Sequence, residues 1–202
     1  MKNDLKWTKL GLLVGPDPKI EWLAGGSGPC CAISNIKDTS IVDLYVSGRD
    51  SQNRSRLGLA RFSLKSETIV DICETSVLTL GTRGAFDENG TSYPSVVRDG
   101  CRVLMYYTGW IKGVHVPWYN DLGLATSLNG LSFERISRAP VMPRGDLDDA
   151  AAQFRIGVFV RHHLEAAAGD RLQDFLADGR LVEPLSKQID FIKRASCSYH
   201  IN

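Results

Sequence analysis

Several things are scarce in this chain of 202 residues, and each scarcity narrows the field. No charge sign is in excess: 24 Lys and Arg stand against 23 Asp and Glu, with no basic run. Such a balance gives no global field for nucleic acid or an anionic membrane, so neither is expected as a partner. Long hydrophobic runs are missing too. The opening MKNDLKWTKLGLL has too short an apolar stretch for a signal peptide, and nothing approaches a bilayer span. Cysteines number five, an odd count, with Cys30 and Cys31 adjacent and no CxxC pair. That pattern argues against a disulfide framework or zinc ribbon and favours a reducing cytoplasm. Cofactor signatures are also absent, and none is expected. Gly25-Gly26-Ser27-Gly28 lacks the Lys-Ser/Thr and helix pattern of a phosphate cradle, so it reads as a flexible lead-in loop. His162-His163-Leu164-Glu165 lacks the i, i+4 spacing of a zinc helix, and no ligand cluster requires a metal. Cys197 and His200, near the end of the sequence, are read with the same reserve.

What is present is β-pattern. Between Gly81 and Arg144 lie four short runs rich in β-branched or aromatic residues, at 93–97, 103–108, 122–127 and 132–136. Each has strand length. Asp99-Gly100 and Asn129-Gly130 are tight-turn dipeptides between them. Such a four-stranded antiparallel sheet cannot bury both faces alone. A partner sits upstream, with strands expected at 30–35, 41–47, 56–63 and 68–78. Residues 7–14 form one further candidate strand, broken by Pro16 and Pro18. Asp43, inside the second strand, reads as a solvent-facing alternate.

The two units match internally. Leu44-Tyr45-Val46-Ser47-Gly48-Arg49 aligns with Met105-Tyr106-Tyr107-Thr108-Gly109-Trp110, and Leu57-Gly58-Leu59-Ala60 with Leu122-Gly123-Leu124-Ala125. The offset is about 60 residues, a little above the usual propeller-blade period. The expected fold is mostly β, with antiparallel four-stranded blades of a β-propeller; an ordinary sandwich with chance similarity is the alternative. The segments SGRDSQNRSRLGLARFS, GAFDENG, YPSVV, LMYYTGW and VPWYNDLGLATSLNGLSFERIS resemble the N-terminal part of a five-bladed propeller family. That family is related to glycoside hydrolases acting on furanosides and arabinans and often sits with surface-polysaccharide genes. The resemblance covers residues 7–144 and implies a partial propeller of about two blades over 1–144. Residues 145–202 read as a helical tail, a break that fits a truncated or recombined gene or a small helical cap. Open sheet edges on a two-blade piece invite pairing with a second copy.

In an antiparallel blade, the start of the first strand, the end of the second and the start of the third share one rim. Loops 48–55, 84–91 and 110–120 therefore converge. Rigid scaffolds tend to carry binding residues on such loops. Sugars need flat aromatic surfaces and fixed hydrogen-bonding forks. Trp110, Trp118 and Tyr119 can supply the first; Arg49, Asn53, Arg54, Asn120 and Asp121 the second. Solvation of the charged residues and packing of the tryptophans between blades are the plainer alternatives. Glycosidic cleavage generally needs two carboxyl groups flanking the bond. Asp87 is the leading carboxylate and Asp50 the second, with Glu88 pointing to solvent beside them. The resemblance would place an Asp before the Pro that opens an inner strand; here Tyr93 precedes Pro94. The family's acid Glu would lie in a later blade. The expected role is hydrolysis or binding of a glycoside in bacterial polysaccharide metabolism, with a carbohydrate as ligand. Non-catalytic sugar binding and an oligomerising propeller fragment are the alternatives. On the hydrolase expectation, Asp87→Asn removes turnover and leaves folding intact.

Overall fold

The computed structural model describes residues 8–143. Its eight strands are β1 (Gly26–Ser34), β2 (Ile41–Arg49), β3 (Ser55–Ser63), β4 (Thr68–Ile72), β5 (Gly90–Asp99), β6 (Arg102–Lys112), β7 (Trp118–Ser127) and β8 (Glu134–Arg135), after a short 3-10 turn at Glu21–Leu23. They form two antiparallel meanders, β1 to β4 and β5 to β8, each strand pairing with the next. A single parallel bridge, Ser55 to Gly90, links the two.

The meanders stack face on face, which explains why their central strands are apolar almost throughout. Strand side chains alternate between two faces. In β6, Val103, Met105 and Tyr107 join Tyr45, Leu57 and Leu59 of the first meander in one core cluster. Leu104 and Tyr106, on the opposite face, pack with Leu122, Leu124, Val141 and Met142 in a second. The outer face of the first meander buries Val46 and Ala60 under Val14, Trp22 and Leu23. Tyr45 ties the central layer together. Its hydroxyl donates to the Gly130 carbonyl at 3.0 Å, and its ring meets Phe133 edge-on at 5.7 Å.

Several expected boundaries move. β2 runs on through Arg49, β6 through Lys112, and β7 opens at Trp118, so the expected 110–120 loop is mostly ladder. Trp110, Ile111, Trp118 and Tyr119 are good strand formers, and Trp110 and Ile111 pair with Asn120 and Tyr119. The expected flexible lead-in at Gly25–Gly28 is instead largely strand, because Gly26 and Ser27 pair with Arg49 and Gly48. β4 stops at Ile72, well short of residue 78, and the described part of the expected 7–14 strand forms none. Asp43 is buried at 7% exposure, accepting from Asn35 at 3.0 Å and lying 3.5 Å from the Arg61 guanidinium. The expected helical tail, His162, His163, Cys197 and His200 lie outside the described residues. Among the described residues, no helix is long and apolar enough to cross a membrane.

Candidate functional site

Antiparallel order brings the end of β2, the start of β3, the start of β5, the end of β6 and the start of β7 to one rim. There the Arg49 guanidinium lies over the Trp110 ring, 5.7 Å from its centroid. Each residue comes from a different meander. An arginine at this distance from an indole face gains a cation–π attraction. The stack is held from both sides. Arg49 donates to the Asn53 carbonyl at 3.0 Å, while Trp110 Nε1 donates to Ser55 Oγ at 2.5 Å. Asn53 sits in the left-handed region, φ 59, which asparagine tolerates better than most residues.

The two expected catalytic carboxylates are both buried and both paired. Asp50 is 2% exposed. Its Oδ1 accepts from the backbone N–H groups of Gln52 and Arg54 at 3.0 and 2.9 Å. Its Oδ2 takes the Nε groups of Arg54 and Arg56 at 2.8 and 3.0 Å. Burial pushes the carboxyl up, but the Arg54 backbone N–H and the Arg56 and Arg54 guanidinium groups outweigh it and hold it below the ordinary range. Asp87 is fully buried, at 0% exposure. Its Oδ2 accepts from Tyr107 Oη at 2.9 Å and Arg135 Nε at 2.7 Å, and Arg135 also donates to the Thr79 carbonyl. The phenol of Tyr107 is pushed up, first by burial and then by the Asp87 carboxylate. Both expected catalytic carboxylates are thus arginine-paired in this structure, and paired burial is how a charge survives in a core. Arg54, expected to bind substrate, pairs with Asp50 at 2.8 Å.

No family model matches the chain. An uncharacterized protein of Mycobacterium tuberculosis, matched in strains CDC 1551 and H37Rv, is 39% identical over 151 residues, covering 74% of this chain and 50% of that protein. The chain thus spans about half the length of the curated relatives it matches. Among solved structures, one is described in terms of the GH130 family of mannoside phosphorylases, containing glycoside hydrolases that target β-1,2 mannosidic linkages in Candida mannan. It superposes with a TM-score of 0.53 at 17% identity, over 69% of this chain and 41% of that one. A glycosyl hydrolase from Bacteroides ovatus superposes with a TM-score of 0.50 at 18% identity, over 61% of this chain and 38% of that one. The fold is glycosidase-like.

The other expected binding residues spread along the same rim. Trp118 is 57% exposed at the tip of the β6–β7 hairpin, opposite Lys112. Asn120 pairs with Trp110, and Asp121 with Gly109. Asp121 is nearly buried, at 5% exposure, in the wall of a cavity of about 400 Å³ lined also by Phe86, Ile111, Arg138, Pro140 and Pro143. Glu88, expected to face solvent, caps its own loop by accepting from the Gly84 N–H. Sequence reasoning missed Ser55, Arg56, Tyr107 and Arg135. Three of the partners are distant in the chain, Arg135 lying 48 residues and Tyr107 20 residues from Asp87 and Ser55 lying 55 from Trp110, while Arg56 is only six from Asp50. In the sequence Tyr93 stands out only as the start of an expected strand and for the carboxylate it replaces.

Proposed function

We propose that this chain is glycoside hydrolase-like and recognises a carbohydrate at this rim, its two meanders standing as adjacent blades of a five-bladed propeller. The observation that carries the proposal is Arg49 lying over Trp110 across the two meanders. A flat indole offers the apolar face that a pyranose or furanose ring presents, and a guanidinium fork offers directed donors to its hydroxyls. Trp118 and Asn120 extend that surface along the hairpin. Asp50 and Asp87 are rim supports, holding the loops that carry the stack. The glycosidase-like fold supports a saccharide ligand. The residue resemblance supports furanosides, and the similar GH130-type structure makes β-1,2-mannosides the second class to try.

The test is calorimetric titration of the full chain with arabino-oligosaccharides and β-1,2-mannobiose, followed by a reducing-end assay of the same mixtures. The expected result is saturable binding to one class, weakened about tenfold, or ~1.4 kcal/mol, by Trp110→Ala. Reducing-end release separates turnover from binding alone. A chain inert toward both classes in both assays would sink the proposal.

A further inference from the structure

Tyr93 is the one described aromatic residue whose backbone lies in the left-handed region, at φ 50. A bulky side chain there is a true conformational outlier. The next residue is Pro94, whose ring further restricts the one before it. The strand bulges here, between Ser92 and Ser95. The conformation is held from outside: the Tyr93 N–H donates to Ser47 Oγ of the first meander at 3.0 Å, and Ser47 is itself buried at 5% exposure. The tyrosine side chain gains little from packing in return, being 44% exposed.

An internal control shows that a bulge of this kind does not demand this arrangement. β1 bulges between Ser27 and Cys30, around Gly28-Pro29, and Gly28 is not among the left-handed residues. The first meander therefore builds its X-Pro bulge with no side chain and no left-handed turn. Strain that surrounding structure enforces on an exposed side chain points toward function.

The position says what that function is. Ser47 and Arg49 are two apart on β2, so their side chains share a face. Tyr93 is docked on Ser47, roughly 7 Å along the strand from Arg49. Gly90, three residues before Tyr93, pairs with Trp110. Tyr93 thus lies along β5 from the Arg49–Trp110 stack, roughly 10 Å from the residue paired with Trp110. We propose that Tyr93 is a second aromatic wall of the saccharide site, set at its angle by the Ser47 hydrogen bond and aimed at a sugar ring lying against Trp110. This rests on the carbohydrate proposal and adds to it a positioning device that links the two meanders.

The experiment titrates wild type, Tyr93→Gly, Tyr93→Phe and Ser47→Ala with the same arabino-oligosaccharides and β-1,2-mannobiose, and measures each melting temperature. Glycine adopts positive φ freely. Tyr93→Gly is therefore expected to melt at or above the wild-type temperature while losing affinity tenfold or more. Tyr93→Phe keeps the ring and is expected to stay within about threefold of wild type, with Ser47→Ala falling between. Wild-type binding that Tyr93→Gly leaves within twofold overturns this inference alone. So does a Tyr93→Gly protein that melts lower, since the ring would then serve packing. A wild-type chain that binds neither sugar overturns the carbohydrate proposal, and this inference with it.

Discussion

At the scale of single residues, the deciding question for a charged side chain here is which guanidinium reaches it. Asp87 sits in a loop, GAFDENG, that reads from the sequence as part of the binding rim. In the fold it is closed over by Tyr107 and Arg135, with Oδ1 among the buried side-chain oxygens that find no hydrogen-bond partner among the described residues. Removing its charge strands the Arg135 guanidinium, which is 18% exposed. Breaking a buried pair from one side costs about 3 kcal/mol. Asp87→Asn is therefore expected to lower stability by an amount of that order in urea melts, where the sequence alone suggested intact folding. Unchanged stability would mean that the Arg135 pair does not hold the fold, the outcome the catalytic expectation requires.

At the scale of elements, the two meanders repeat more than their strand patterns. In each, the segment before the first strand supplies an aromatic ring that lies over a glycine late in the second strand. Trp22 covers Gly48, where a Cβ would stand 2.6 Å from its Cε3, and Phe86 covers Gly109, where a Cβ would stand 2.5 Å from its Cε2. This is why Ser47-Gly48 and Thr108-Gly109 match in sequence: any larger residue would push the covering segment off the sheet. Leu23 follows the ring in the first meander and Asp87 in the second, so a buried carboxylate occupies what is elsewhere an apolar place. Overpacked cores lose roughly 1–3 kcal/mol. Gly109→Ala is expected to reach the upper end, because the clash includes Asp87 Cβ at 2.5 Å. Thermal melts against wild type check it.

At the scale of the whole described unit, the layer between the meanders decides cooperativity. Its members come from both: Tyr45, Leu57 and Leu59 from one, Met105, Tyr107 and Phe133 from the other. Neither sheet keeps its inner face dry without its partner. The two are expected to unfold together, with circular dichroism and tryptophan fluorescence giving coincident urea transitions. Met105→Ala, at a site with 0% exposure, is expected to cost about 3 kcal/mol and shift both probes equally. Separated transitions would mean that the meanders are independent modules.

The sequence by itself determined the strands, their antiparallel order and the pairing of two like units. Those follow from alternation, β-branched and aromatic content and tight-turn dipeptides, all local signals carried within a few residues. The rim that gathers Arg49 and Trp110 was legible for the same reason, since strand order alone sets which loops share an end. Only the tertiary structure decided the burial of Asp87 and the backbone angle of Tyr93. Asp87 is paired with Arg135 48 residues away and Tyr93 is held by Ser47 46 residues away, whereas Asp50 finds Arg54 and Arg56 within six residues of itself. Whether a carboxylate reaches solvent or a backbone angle is held off its preferred region depends on which distant side chains the stacked sheets bring within hydrogen-bonding range. No local pattern along the chain encodes that distance.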